Sequence, residues 1–257
     1  MTCRRTRTPA EDDGFLEPVR IEQDPPAENQ PPAPAGTATA GASIGRQIGR
    51  GDGGREQMLL EFTGALVQAV ELKDPYTRRH SEHVALYADQ LAAHLGLARD
   101  DRESVRVAAL LHDIGKIAVP DSILTKPGRL CRKEFALIRQ HPEVGAGILE
   151  NISMLRQEAR LVRHHHEAWD GSGYPHGLRG ERIPLGARIL NICDSMDAML
   201  MARTYKAPYP VKDMLAELRR CADTQFDPEL ARAAVDFCTR WPTRLILPRY
   251  DPKTRTA

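Results

Sequence analysis

From about residue 56 the apolar positions recur at helical spacing. Met58, Leu59, Phe62, Leu66 and Val70 fall on one face, the pattern of an amphipathic helix. Asp74-Pro75 ends it, because a proline disfavours helical geometry in the residue before it. Val84, Leu86, Tyr87, Leu91 and Leu95 predict a second helix, closed by Gly96. A third runs from about Arg102 to His112 and is apolar nearly all round, through Val105, Val107, Ala108, Leu110 and Leu111. Such a helix belongs at the centre of a domain. Further helices are predicted near 131–140, 142–150, 153–166, 184–201, 208–222 and 227–239. Period-two alternation is scarce and β-branched runs are short, so the expected fold class is all-α.

Residues 1–55 read differently. Seven Pro and eight Gly occupy 15 of these 55 positions, and Phe15 is the only aromatic. A segment so poor in apolar residues cannot offset the entropy of ordering itself. It is expected to be a disordered tail, with a polyproline-like stretch from Pro25 to Pro34. The tail is a candidate surface for protein partners. The folded domain is expected over 56–240, with a C-terminal tail over 241–257.

Charge narrows the class. The 257 residues carry 36 Lys+Arg against 35 Asp+Glu, a net charge of +1. That balance argues against a nucleic-acid polymer as partner. No apolar run approaches the roughly 20 residues of a membrane span, so no membrane insertion is expected. The N-terminus Met1-Thr2-Cys3-Arg4-Arg5 has no apolar stretch behind it, unlike a signal peptide. Cys3, Cys131, Cys193, Cys221 and Cys238 are scattered, with no CxxC pair. They read as free thiols in a reducing cytoplasm, not as a zinc or disulfide framework.

The histidines carry the candidate chemistry. His112-Asp113 closes the apolar third helix, where an imidazole and a carboxylate are costly to bury unpaired. A bound cation would satisfy both; a hydrogen-bonded His–Asp pair capping the helix is the simpler alternative. Gly115 would let the chain turn and bring Lys116 back towards the same place. His164-His165-His166-Glu167 is a second cluster. Adjacent helical residues point about 100° apart, so all three imidazoles cannot face one ion equally. The Gly171-Ser172-Gly173 turn offers free backbone N–H groups to a phosphate. His80 starts the second helix with His83 one turn on, His141 precedes Pro142, and Asp194 lies in an apolar run. His94 and His176 read as solvent-facing. Imidazole with carboxylate and no thiolate favours first-row metals.

His112-Asp113-Ile114-Gly115-Lys116 resembles the HDxGK motif of HD-domain phosphohydrolases, and His165 to Pro175 is similar to the HHE…DGxGYP signature of the HD-GYP subfamily. Pro120–Gly128, His141–Gly145, Ile183–Leu190, Asp194, Arg203–Lys206 and Phe226-Asp227-Pro228 match in order. The resemblance spans about 56–240. It implies an all-helical HD core with a C-terminal helical extension, and a bacterial signalling phosphodiesterase acting on cyclic di-GMP to give linear pGpG or GMP. Another cyclic dinucleotide, or a non-catalytic sensor, are the alternatives. It further implies His80, His112, Asp113, His141, His165, His166 and Asp194 as metal ligands, with Asp113 and Lys116 in catalysis. Lys116, Gly173, Tyr174, Arg203 and Lys206 would hold the substrate, Tyr174 by stacking on a guanine. Some relatives place a glutamate where Tyr76 stands here, so two divalent ions, iron or manganese, are implied instead of three. A homodimer is left open. The tail analysis generates one prediction: a chain beginning at Arg55 keeps the full-length turnover number on cyclic di-GMP. A large loss in a well-folded truncation would mean that the tail completes the site.

Overall fold

The computed structural model describes residues 61, 63–68, 77–126, 128–201 and 209–242. The expected helix breaker at Asp74-Pro75, together with Tyr76, Arg203, Lys206 and the N-terminal tail, lies outside them, as does most of the first helix. A helical stretch at 63–68 precedes α1 (Thr77–His94) and α2 (Arg99–Leu111), which pack as a pair. A 3-10 turn at Ile114–Ala118 follows, then the short α3 (Asp121–Leu124) and α4 (Arg132–Ile138). α5 (His141–Glu150) and α6 (Arg156–His164) form a second pair. α7 (Leu185–Leu200) crosses both pairs, and α8 (Val211–Arg220) and α9 (Pro228–Arg240) close the far end. Among the described residues there is no strand, only an isolated bridge between Ala222 and Phe226. The all-α expectation holds.

The main core is a continuous apolar cluster joining Val84, Tyr87 and Leu91 of α1 to Val107 and Leu111 of α2 and to Leu149 and Val162 of α5 and α6. Ile189, Ile192 and Met196 of α7 complete it, with Phe226 and Phe237 beyond. Each such side chain contributes about 1.5–3 kcal/mol on burial. α2 touches α1, α6 and α7, as its apolar composition requires. α7 is still more enclosed: from Gly186 to Met199 only Arg188 and Asp194 escape full burial. α9 starts on Pro228 behind Asp227, whose carboxylate accepts the N–H groups of Glu229 and Leu230. His94 differs from its solvent-facing expectation. It is half-buried between the rings of Phe237 and Trp241, with Asp236 Oδ2 3.2 Å from Nε2.

Gly115 is needed for space, not for a turn. Its φ is not positive, and a Cβ there would stand 1.9 Å from the carbonyl oxygen of His141. The backbone after α2 is thereby pressed against the first turn of α5. Gly147, in the same α5, has nothing within 4 Å of an added Cβ. Gly115→Ala is expected to destabilise the fold by more than about 3 kcal/mol, through a backbone clash that no rotamer relieves. Gly147→Ala is expected to stabilise it by up to about 1 kcal/mol. Urea denaturation checks both; equal midpoints would mean that the close approach is relaxed at no cost.

Candidate metal centre

Three imidazoles are oriented in the same way by their own backbone. Nδ1 of His112, His141 and His165 lies 2.7, 2.8 and 2.6 Å from the carbonyl oxygens of Ala109, Ile138 and Val162, each three residues earlier. A carbonyl only accepts, so each Nδ1 carries the proton and each Nε2 presents a lone pair. All three rings are at least 98 % buried. Nε2 of His141 and Nε2 of His165 then face each other at 3.4 Å. Two lone pairs cannot hydrogen-bond to one another, whereas a cation between them satisfies both.

Asp113 extends the arrangement in two directions. Its Oδ1 lies 3.5 Å from Nε2 of His141, and its Oδ2 lies 3.4 Å from Nε2 of His112 and 2.9 Å from Nζ of Lys116. Further along, Nε2 of His80 faces Asp194 Oδ1 at 3.1 Å. Donor atoms of His141, His165 and His166 lie within 4.8 Å of one another, as do those of His80, His112 and Asp194. His112, Asp113 and His165 form a third such set between them. The seven residues named from sequence as ligands are therefore brought into two adjoining groups with Asp113 at the junction.

The electrostatics of His141, His165, His166, Asp113 and Asp194 suit cation binding. Burial, reinforced by His166, pushes His141 down to about 3, and burial pushes His166 down to about 4 and His165 well below its ordinary value. These imidazoles are neutral at neutral pH, the form in which they ligate. Burial alone would raise Asp113, but Lys116 and the surrounding histidines hold its carboxyl well below the usual range. Asp194 is likewise lowered against burial, chiefly by its hydrogen bond to His80. Burial opposes charge on His80, yet hydrogen bonds to Asp194 and Asp197 push it up to about 10.

Four supporting residues were not singled out in the sequence for these roles. Asp197 accepts from Nδ1 of His80 at 2.7 Å and from Nδ1 of His83 at 2.9 Å, which aims Nε2 of His80 at Asp194. Asn191 donates to the carbonyls of His165 and Glu167 at 3.0 and 3.1 Å and so fixes the chain just after α6. Glu167 accepts the backbone N–H groups of His176 and Leu178, clamping the loop over 170–178. Arg139 places its guanidinium 4.5 Å from the ring centroid of Tyr174. Tyr174 also lies 4.9 Å from the His166 ring at an interplanar angle of 30°. Gly173 is forced by contact, because a Cβ there would meet the Ala168 nitrogen at 2.2 Å. Its turn is packed onto the ligand segment, not flexible. α7 ends at Leu200 with Met201 extended, within a residue of the helix expected over 184–201.

The HD domain family model matches residues 65–230. A cyclic di-GMP phosphodiesterase of Thermotoga maritima is 38 % identical over 180 residues, covering 69 % of this chain and 49 % of that protein. The 3'3'-cGAMP-specific phosphodiesterase 2 of Vibrio cholerae is 39 % identical over 178 residues, covering 68 % of this chain and 34 % of that protein. The chain thus spans half or less of the length of these curated relatives. The solved HD domain of the L. monocytogenes phosphodiesterase PgpH, in complex with cyclic-di-AMP, shares the fold with a TM-score of 0.53 at 20 % identity. The match covers 72 % of this chain and 100 % of that one.

Removing a candidate ligand and removing its support should differ in degree. Asp113→Ala is expected to abolish bound metal, and Asp197→Asn to weaken it by about tenfold to a hundredfold. Elemental analysis after dialysis, with helicity followed by circular dichroism, checks both. Full metal content in a folded Asp113→Ala protein would remove Asp113 from the ligand set.

Proposed function

The chain belongs to the HD-domain family, and on that premise we propose that it is a metal-dependent phosphodiesterase hydrolysing cyclic di-GMP to linear pGpG or GMP. The observation that carries this reading is the pair of facing Nε2 lone pairs beside a carboxylate shared between two ligand groups. Iron or manganese, two ions in all, suit donors that are imidazole and carboxylate alone. His141, His165 and His166 would hold one ion, and His80, His112 and Asp194 the other, with Asp113 serving both. Such a pair neutralises an anionic phosphodiester and brings a bound water to deprotonate near neutral pH.

The protein's own groups set the rest. Nζ of Lys116, held 2.9 Å from Asp113, adds positive charge where negative charge grows on the phosphoryl oxygens. The water's oxygen bonds to phosphorus, the bond to the 3' oxygen breaks, and that oxygen takes up a proton. The buried, pre-oriented imidazoles need no reorganisation as this happens. Gly173 and Tyr174 are proposed to line the substrate. With Arg139 and His166 already against the Tyr174 ring, its role is to present an edge or a hydroxyl as much as a stacking face. Arg203 and Lys206 are assigned to a distal base or phosphate by motif.

A second reading, 3'3'-cGAMP as substrate, is favoured by a cGAMP-specific relative as similar as the cyclic di-GMP one. A non-catalytic sensor is disfavoured because every ligand position is filled. No helix among the described residues is long and apolar enough to cross a membrane. A cytoplasmic location, protein partners at the N-terminal tail and a homodimer belong to the same proposal.

Comparing kcat/KM for the two cyclic dinucleotides on metal-loaded protein, prepared without oxygen, decides between the substrates. Arg203→Ala is expected to leave metal content and hydrolysis of bis(p-nitrophenyl) phosphate unchanged, since that diester has no distal guanine. Turnover of cyclic di-GMP should fall about tenfold to a hundredfold, the scale of one charge-assisted contact. Equal losses on both substrates would move Arg203 into support of the fold or metals.

A further inference from the structure

A separate cluster lies beside the paired ligand groups. One donor atom each from His164, Glu167 and His176 lies within 4.8 Å of the others, and the two imidazole centroids are 5.3 Å apart. Nδ1 of His164 is buried and has no hydrogen-bond partner. Glu167 Oε1 stands 3.6 Å away, too far for a hydrogen bond. A buried polar nitrogen left unmet is costly, and something must repay it. Glu167 is already fixed in place: Oε1 accepts from His176 N at 2.8 Å and Oε2 from Leu178 N at 3.0 Å. Each of these oxygens retains a further lone pair. Glu143 adds negative charge nearby, with its Oε2 4.0 Å from Nε2 of His176. The His176 side chain is 49 % exposed, which gives an ion a route in from solvent.

We propose that His164, Glu167 and His176 form a further divalent-cation site that takes a borderline transition ion such as zinc. Two imidazoles and one carboxylate suit that class, and water can fill the remaining position. The site joins the last residue of α6 to the loop that bears Tyr174. An ion there ties that loop to the segment carrying His165 and His166, in addition to the Glu167 clamp. The reading stands whatever the substrate of the paired groups. The competing account is an imidazolium of His164 paired with Glu167, which binds no ion.

Zinc titration of the full-length chain against a chromophoric chelator separates the two. Wild type is expected to bind one equivalent more than His176→Ala, the remaining equivalents keeping their affinities. Because His176 is exposed, its loss leaves the core intact. His164→Gln should lose the same equivalent. Zinc should also slow amide exchange over 170–178 in wild type and not in His176→Ala. Equal stoichiometry in wild type and His176→Ala overturns the site. Loss in His176→Ala with retention in His164→Gln overturns the triad, since the ion would then sit on His176 and Glu143.

Discussion

Everything in the paired groups depends on one constraint: an imidazole whose Nδ1 is committed to a carbonyl has only Nε2 left to offer. The chain applies it three times, at His112, His141 and His165, each at or next to a helix terminus. There the carbonyl three residues back is within reach of the ring. Rings tied in this way cannot relieve each other by exchanging tautomers. Their lone pairs converge in a region with almost no water, and only positive charge resolves the conflict. The hydrophobic core exists partly to keep those rings dry and the helix ends in register.

Three contacts hold that register. The Gly115 backbone lies directly on the carbonyl of His141, so the segment bearing His112 and Asp113 and the segment bearing His141 share a van der Waals surface. Asn191 ties the carbonyls of His165 and Glu167 to α7. Trp169 and Asp170 donate their N–H groups to the carbonyls of Gln225 and Thr224, which anchors the loop beyond the ligands to the α8–α9 connection. The loop is thus bound at both ends before any ligand reaches it.

Much of this was legible in the sequence. Apolar periodicity located most helices of the described residues to within a few residues, because burial of one stripe per helix is a local pattern; the four-residue α3 is too short to show one. Imidazole and carboxylate in apolar surroundings marked candidates, but the set of seven ligands came from the resemblance to the HD-GYP motifs. What failed is instructive. Gly115 was read as a turn residue and Gly173 as part of a turn offering N–H groups, but both are required by close approach of segments distant or folded back in space, which sequence does not display. Arg139 against Tyr174 had no local signal at all. Asp197 did have one: it follows Asp194 by three residues on a helix buried almost all round, where a second lone carboxylate needs a partner.

Arg188, Asn191, Asp194 and Asp197 recur every third residue on α7 and form one oblique polar ridge on an apolar rod. The rungs grip three places: the Asp227 cap of α9, the backbone beside His165, and, through Asp194 and Asp197, the His80 and His83 rings of α1. A rod that interlocks with three parts at once behaves as a keyed shaft. It cannot slide or rotate by a fraction of a turn without releasing several grips together, because close-packed interiors yield in steps and not continuously. Geometry at the histidines is therefore mechanically coupled to the start of α9.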